Sequence, residues 1–106
     1  MFEYLPVIIV HGQTSVEASL RREFVDSARK SVPLTRNEPG NLAYVIATDI
    51  LDGDAFHLFE VWDSPDSLAS HSSTAHQLVR RRELQELGVS WNEIKQYAGN
   101  SFPPFQ

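Results

Sequence analysis

The chain of 106 residues contains no cysteine. That absence removes disulfides, iron–sulfur clusters, thiolate zinc sites and cysteine nucleophiles together. No apolar run approaches the ~20 residues that a membrane span needs; the longest, at 7–10, is of strand length. The opening MFEYLPVIIVHG has neither a basic leader nor a small-residue cleavage site. No secretory signal is therefore expected, and a cytoplasmic location is the default. Basic residues are few: nine Lys and Arg face fourteen Asp and Glu, for a formal net charge of −5. Non-specific nucleic-acid binding requires the opposite sign. The five glycines are scattered, so there is no phosphate-cradling loop, and no Gly-x-Ser-x-Gly elbow occurs. The one basic cluster, Arg80, Arg81 and Arg82, fans around a helix axis and does not form one face. It is expected to be solvated, with anion binding as the alternative.

What is present is ordinary globular composition, 42% hydrophobic and 22% charged. One domain over 1–106 is expected, with a core at about 4–97 and a tail at 98–106. Segment 4–10 is β-branched and apolar on both faces, a covered strand. Thr14 and Glu17 have capping-box spacing ahead of a helix at about 15–31, whose stripe is Leu20, Phe24 and Ala28 and which Pro33 should end. Strands are expected at 42–50 and 55–62, joined by the turn signal Asp52-Gly53-Asp54. Ser64-Pro65 starts a short helix to about 71, Ser72, Ser73 and Thr74 interrupt it, and a second helix ends at Gly88. Residues 89–97 alternate as a fourth strand. The SFPPFQ tail is too apolar to stay free and is expected to dock. The order β-α-β-β-α-β is the α+β, ferredoxin-like plan, one antiparallel sheet with helices on one face. Strands apolar on both faces need cover on the other side as well, which a second copy in a homodimer would supply.

Four residues stand out chemically. His71 and His76 are five apart, about 140° around a continuous helix, and so cannot both ligate a metal from one face. The break at 72–74 puts His71 at the end of one helix and His76 in the first turn of the next. Helix dipoles then favour the charged ring at His71 and the neutral ring at His76. If both turn into one cavity they form a base and a hydrogen-bond donor; otherwise they cap or pack. Glu60 lies between Leu58 and Trp62 on one strand face. There a carboxylate must be paired, at a salt bridge or dimer contact, or line a pocket. Trp62 at the strand end either packs in the core or lines an aromatic pocket.

EPGNLAY at 38–44, FHLFEVW at 56–62 and SHSSTAH at 70–76 together resemble the antibiotic biosynthesis monooxygenase domain, in order from the first strand to the last. The resemblance implies a dimeric α+β barrel with a mostly apolar cavity between sheet and helices. It also implies oxidation of a small hydroxylated aromatic or quinol by O2, with no metal, flavin or haem cofactor. On that basis His71 or His76 is the base, and Trp62, Glu60, Phe59 and Tyr44 are candidates to line the substrate slot. The polyketide-oxidising type carries an Asn and a Tyr where Leu58 and Leu68 stand here. The haem-degrading branch needs a first-strand Asn, a second Trp and a haem-ligating His; the first strand here has no Asn, and Ser70 and Arg80 fall near the other two places. A module that binds or isomerises a small metabolite without oxygenation is the alternative function.

Overall fold

The computed structural model describes residues 5–101. The chain runs β1 (Leu5–Ser15), a single 3-10 turn (Ala18–Leu20), α1 (Arg21–Arg36), β2 (Asn41–Thr48), β3 (Ala55–Trp62), α2 (Pro65–Ser72), α3 (Ala75–Leu87) and β4 (Asn92–Ser101). The four strands form one antiparallel sheet in the order β2-β3-β1-β4. This is the ferredoxin-like α+β arrangement. No helix among the described residues is long and apolar enough to cross a membrane.

Alternation decides which side of β3 carries the core. Phe56, Leu58, Glu60 and Trp62 are buried, while His57, Phe59 and Val61 face the other way and are partly or fully open. Phe24 of α1 meets Phe56 at 4.6 Å between ring centroids and Trp91 at 5.9 Å. Val16 and Leu84 complete this cluster, so α1 and α3 cover one face of the sheet. Burying a side chain such as Phe24 contributes about 1.5–3 kcal/mol.

Several expected boundaries move. α1 begins later than 15: Thr14 stays in β1, and its hydroxyl donates to the Ser90 carbonyl instead of capping a helix. α1 also continues through Pro33 to Arg36. A proline inside a helix costs one hydrogen bond and a steric clash, about 3 kcal/mol. Here the buried stripe Phe24, Ala28, Ser31 and Thr35 runs past it, and Arg36 Nε donates to the Tyr44 carbonyl at 2.9 Å. β4 starts at Asn92, not 89, and residues 98–101 belong to it instead of to a tail. Glu93 has φ 51°, and the β1–β4 register slips between His11 and Gln13. The slip brings Trp91, Ile94 and Gln96 to one cavity wall, where strict alternation separates Trp91 from the other two. The segment expected to dock, beyond Ser101, lies outside the described residues.

Beyond α1 the helix caps form at Ser64, Thr74 and Gly88. Ser64 Oγ accepts from Ser67 N with Pro65 in the first turn, Thr74 Oγ1 accepts from Gln77 N, and Gly88 at φ 70° closes α3. Gly40, in the Pro39-Gly40 turn, has φ 83°, and a Cβ there would overlap Ser67 and Asp63 at the start of α2. Its carbonyl accepts from Asp63 N at 2.9 Å. Gly40→Ala is therefore expected to destabilise the fold by more than ~1 kcal/mol in urea denaturation. Gly53→Ala, with open space around its Cβ position, is the control and is expected to change stability by less than ~0.5 kcal/mol.

Candidate active site

Three helix ends converge on one carboxylate. Glu38 follows the end of α1, His71 closes α2 and His76 lies in the first turn of α3. His71 Nδ1 is 2.6 Å and His76 Nε2 2.8 Å from the same oxygen, Glu38 Oε2. A carboxylate can only accept, so each facing ring nitrogen carries the proton. When the His71 ring is neutral, that leaves its Nε2 with the lone pair. Thr74, between the two helices, fixes the bend: its hydroxyl donates to the His71 carbonyl at 2.9 Å while capping α3. The break in the helix therefore brings together the two rings that continuous helical spacing keeps apart.

Behind His71 stands Trp62, fully buried, with ring centroids 5.0 Å apart. The indole Nε1 donates to Glu60 Oε1 at 2.9 Å. Among the described residues Glu60 has this hydrogen bond and no salt bridge, and it lines a pocket, the second of its expected roles. Tyr44 closes the group, 5.8 Å from the His71 ring.

Between the sheet and the α2–α3 pair lies a cavity of about 330 Å³, lined among others by Tyr44, Leu58, Glu60, His71, Arg80 and Trp91. That volume is at the small end of ligand sites. Of the sequence candidates, Tyr44, Glu60 and His71 reach its wall. Trp62 does not; it backs the wall through Glu60 and His71. His76 faces a separate shallow groove between α1 and α3 and touches the site through Glu38. Phe59 points to the opposite sheet face and is 42% exposed, as the two-residue strand period requires. A groove of the same volume on the α1 side, lined by Val25, Val32, Ile46 and Phe56, carries Arg29 and Arg36 but no acid or imidazole. It therefore offers no proton acceptor for chemistry.

Sequence reasoning missed Glu38 as a site residue and expected the arginine run to be solvated, with anion binding as the alternative. Glu38 is a carboxylate in a polar connector, which locally signals only solvation. Arg80 is buried at 2% exposure while Arg81 and Arg82 are exposed. The fan of three successive helical residues is what lets one of them turn inward.

The family model for antibiotic biosynthesis monooxygenases matches residues 7–81. The chain belongs to this family. No curated protein matches the chain. Among solved structures it is similar to a Bacteroides thetaiotaomicron protein described as conserved, of unknown function and a possible oxidoreductase. That match has 22% identity over 90% of this chain and 99% of the other, with TM-score 0.81. A Nitrosomonas europaea protein provisionally named an antibiotic biosynthesis monooxygenase matches at 22% identity over 95% and 94%, TM-score 0.75. One from Deinococcus radiodurans, named in the same way, matches at 25% over 93% and 96%, TM-score 0.68. In this member of the antibiotic biosynthesis monooxygenase family, the matched segment holds Glu38, Tyr44, Glu60, His71, His76 and Arg80. The cavity wall supplied by β4, including Ile94 and Gln96, lies beyond it.

Burial sets the protonation of the acids around the cavity. It holds the Tyr44 hydroxyl above its ordinary range, with Glu60 and Glu38 adding to the effect and Arg80 opposing it. Tyr44 is therefore a neutral donor and no base. Burial likewise raises the Glu60 carboxyl, against the Trp62 N–H and His71, which lower it. The three atoms on Glu38, His71 and His76 lie within 4.8 Å of one another, a donor set that could also take a divalent cation.

A raised carboxyl favours the folded state only where it is protonated, below its ordinary value, and that contribution is lost as pH rises through the folded value. Glu60→Gln stays neutral and still accepts from Trp62. It is expected to melt higher than the wild type near neutral pH, with the gap closing as pH falls toward 4.5, the ordinary value. Thermal denaturation from about pH 4 to 8 measures this; a gap independent of pH would show that Glu60 is not the group that titrates.

Proposed function

We propose that this protein is a cofactor-independent monooxygenase that oxidises a small hydroxylated aromatic molecule with O2. The observation that carries the reading is the Glu38–His71 pair at the wall of a cavity whose lining is part polar and part apolar. Membership of the antibiotic biosynthesis monooxygenase family supports it, as does the description of one structural neighbour as a possible oxidoreductase.

His71 Nε2 takes the proton of the phenolic hydroxyl, and Glu38 stabilises the imidazolium that forms. The phenolate is electron-rich enough to pass one electron to O2, and the radical pair joins at the para carbon as a peroxide. The imidazolium returns its proton to the outer peroxide oxygen. The para hydrogen leaves as a proton while the O–O bond breaks, giving the quinone and one water. One phenol and one O2 thus yield one quinone and one water, with no further reductant. His76 acts by holding Glu38 and is a positioning residue in this scheme. The homodimer belongs to the same reading: Val45, Phe59 and Tyr97 lie exposed on the outer sheet face, an apolar surface that a second copy would cover.

The test is O2 uptake and quinone formation over a panel of naphthols, anthrones and hydroxybenzoates. His71→Ala is expected to lower kcat by about 100-fold or more, the range for loss of a general base. His76→Ala is expected to lower it less, since Glu38 and His71 remain. No uptake across the panel, or His71→Ala as active as the wild type, would turn the reading toward a binding or isomerising module.

A further inference from the structure

Arg80 is a buried cation that the chemistry above does not use. Its guanidinium lies over the Phe24 ring, 4.8 Å from the centroid, and its Nη1 donates to the Phe24 carbonyl at 3.2 Å. A ring face and a neutral carbonyl orient the group without neutralising it. Among the described residues Arg80 enters no ion pair. Its Nη2 is buried with no acceptor. Burying a charge in this state is costly unless something completes it. Three residues earlier on α3, Gln77 Oε1 is buried with no donor. The two orphan atoms have opposite polarity, do not bond each other, and belong to residues that both line the cavity. Of the cavity's other ionisable groups, Tyr44, Glu60 and His71 stand together near Trp62, and Arg81 is exposed, so its charge is solvated. Glu60 repels a second anion there, which leaves Arg80 as the anchor for negative charge.

We infer that the cavity takes an aromatic acid with two hydroxyls: its carboxylate pairs with Arg80 Nη2, the neighbouring hydroxyl donates to Gln77 Oε1, and the second is the one that His71 deprotonates. This narrows the substrate class and rests on the reading of the cavity as the substrate site. The ligand supplies one acceptor and one donor, the two partners the wall lacks. A neutral phenol of the same shape would leave the guanidinium unpaired. Hydrogen bonds to a charged group are roughly twice as strong as neutral ones, so the acid is favoured over its uncharged counterpart.

The experiment is anaerobic calorimetric titration of the full chain with salicylate and salicylamide, and with a hydroxynaphthoate and its amide. Each acid is expected to bind about tenfold or more tightly than its amide. Arg80→Met is expected to abolish the preference and Arg80→Lys to keep part of it. Equal affinity of acid and amide for the wild type, or no binding of either acid, overturns the inference without recourse to any variant. So does a preference that survives Arg80→Met. Because binding is read without O2, the two readings fail separately. Dihydroxylated acids that bind as expected but are never oxidised would remove the oxygenase reading alone. Amides oxidised as fast as the acids and bound as tightly would remove this one alone.

Discussion

The arrangement of the helices depends on a single buried oxygen. Glu38 Oε2 accepts from both His71 and His76, and those three residues are the joint of α1, α2 and α3. Side-chain exposures of 4%, 9% and 19% for His71, Glu38 and His76 mean that water cannot easily take over either hydrogen bond. Losing the carboxylate would leave two ring N–H groups without an acceptor, and losing a ring would leave a desolvated carboxylate half satisfied. The same contact fixes the His71 tautomer and so decides which nitrogen is free for chemistry. Structure and reactivity therefore share one interaction, and neither can be tuned without the other.

The cavity wall departs from an apolar core in a consistent way. Glu60, His71 and Arg80 are all buried polar or charged side chains, and all three line it. Each is held from behind by a neighbour that does not enter the space: Trp62 for Glu60, Glu38 for His71, Phe24 for Arg80. Such groups cost stability where they stand. The apolar cluster of Val16, Phe24, Phe56 and Leu84, on the other flank of the same sheet face, offsets that cost. Phe24 serves both parts, since its ring packs on Phe56 and its carbonyl and ring position Arg80.

Local patterns carried the fold and stopped short of the site. β3 falls at 55–62 as its composition predicts, and the caps at Ser64, Thr74 and Gly88 are where side-chain chemistry puts them. α1 was read too short because its last buried positions are Ser31 and Thr35, which an apolar stripe does not count. In the fourth strand Trp91 was read on the wrong face, while Ile94 and Gln96 were rightly kept together, because the kink at Glu93 goes with pairing to β1, about eighty residues away. The role of Glu38 was not legible for the same reason: its partners are 33 and 38 residues further along the chain. Phe59 shows the converse. Strand alternation alone sets it on the face opposite Trp62, and the resemblance to a family was the weaker guide at that position.

The strand order has a consequence for how the chain is made. β1 is synthesised first, yet both of its neighbours in the sheet come much later: β3 pairs it from Ser15↔Ala55 onward, and β4 closes the other edge up to Leu5↔Ser101. A nascent chain that has released β1, α1, β2 and β3 can form three strands of the sheet. It still leaves one edge of its central strand β1 unpaired, and the β4 side of the cavity missing, until β4 itself emerges. Contacts so distant in sequence also close slowly. An open strand edge is a template for pairing with another chain, and Val7, Ile8, Ile9 and Val10 lie along this one. The interval before β4 arrives is thus when this protein is most exposed to aggregation, and the last ten residues of the sheet protect the first.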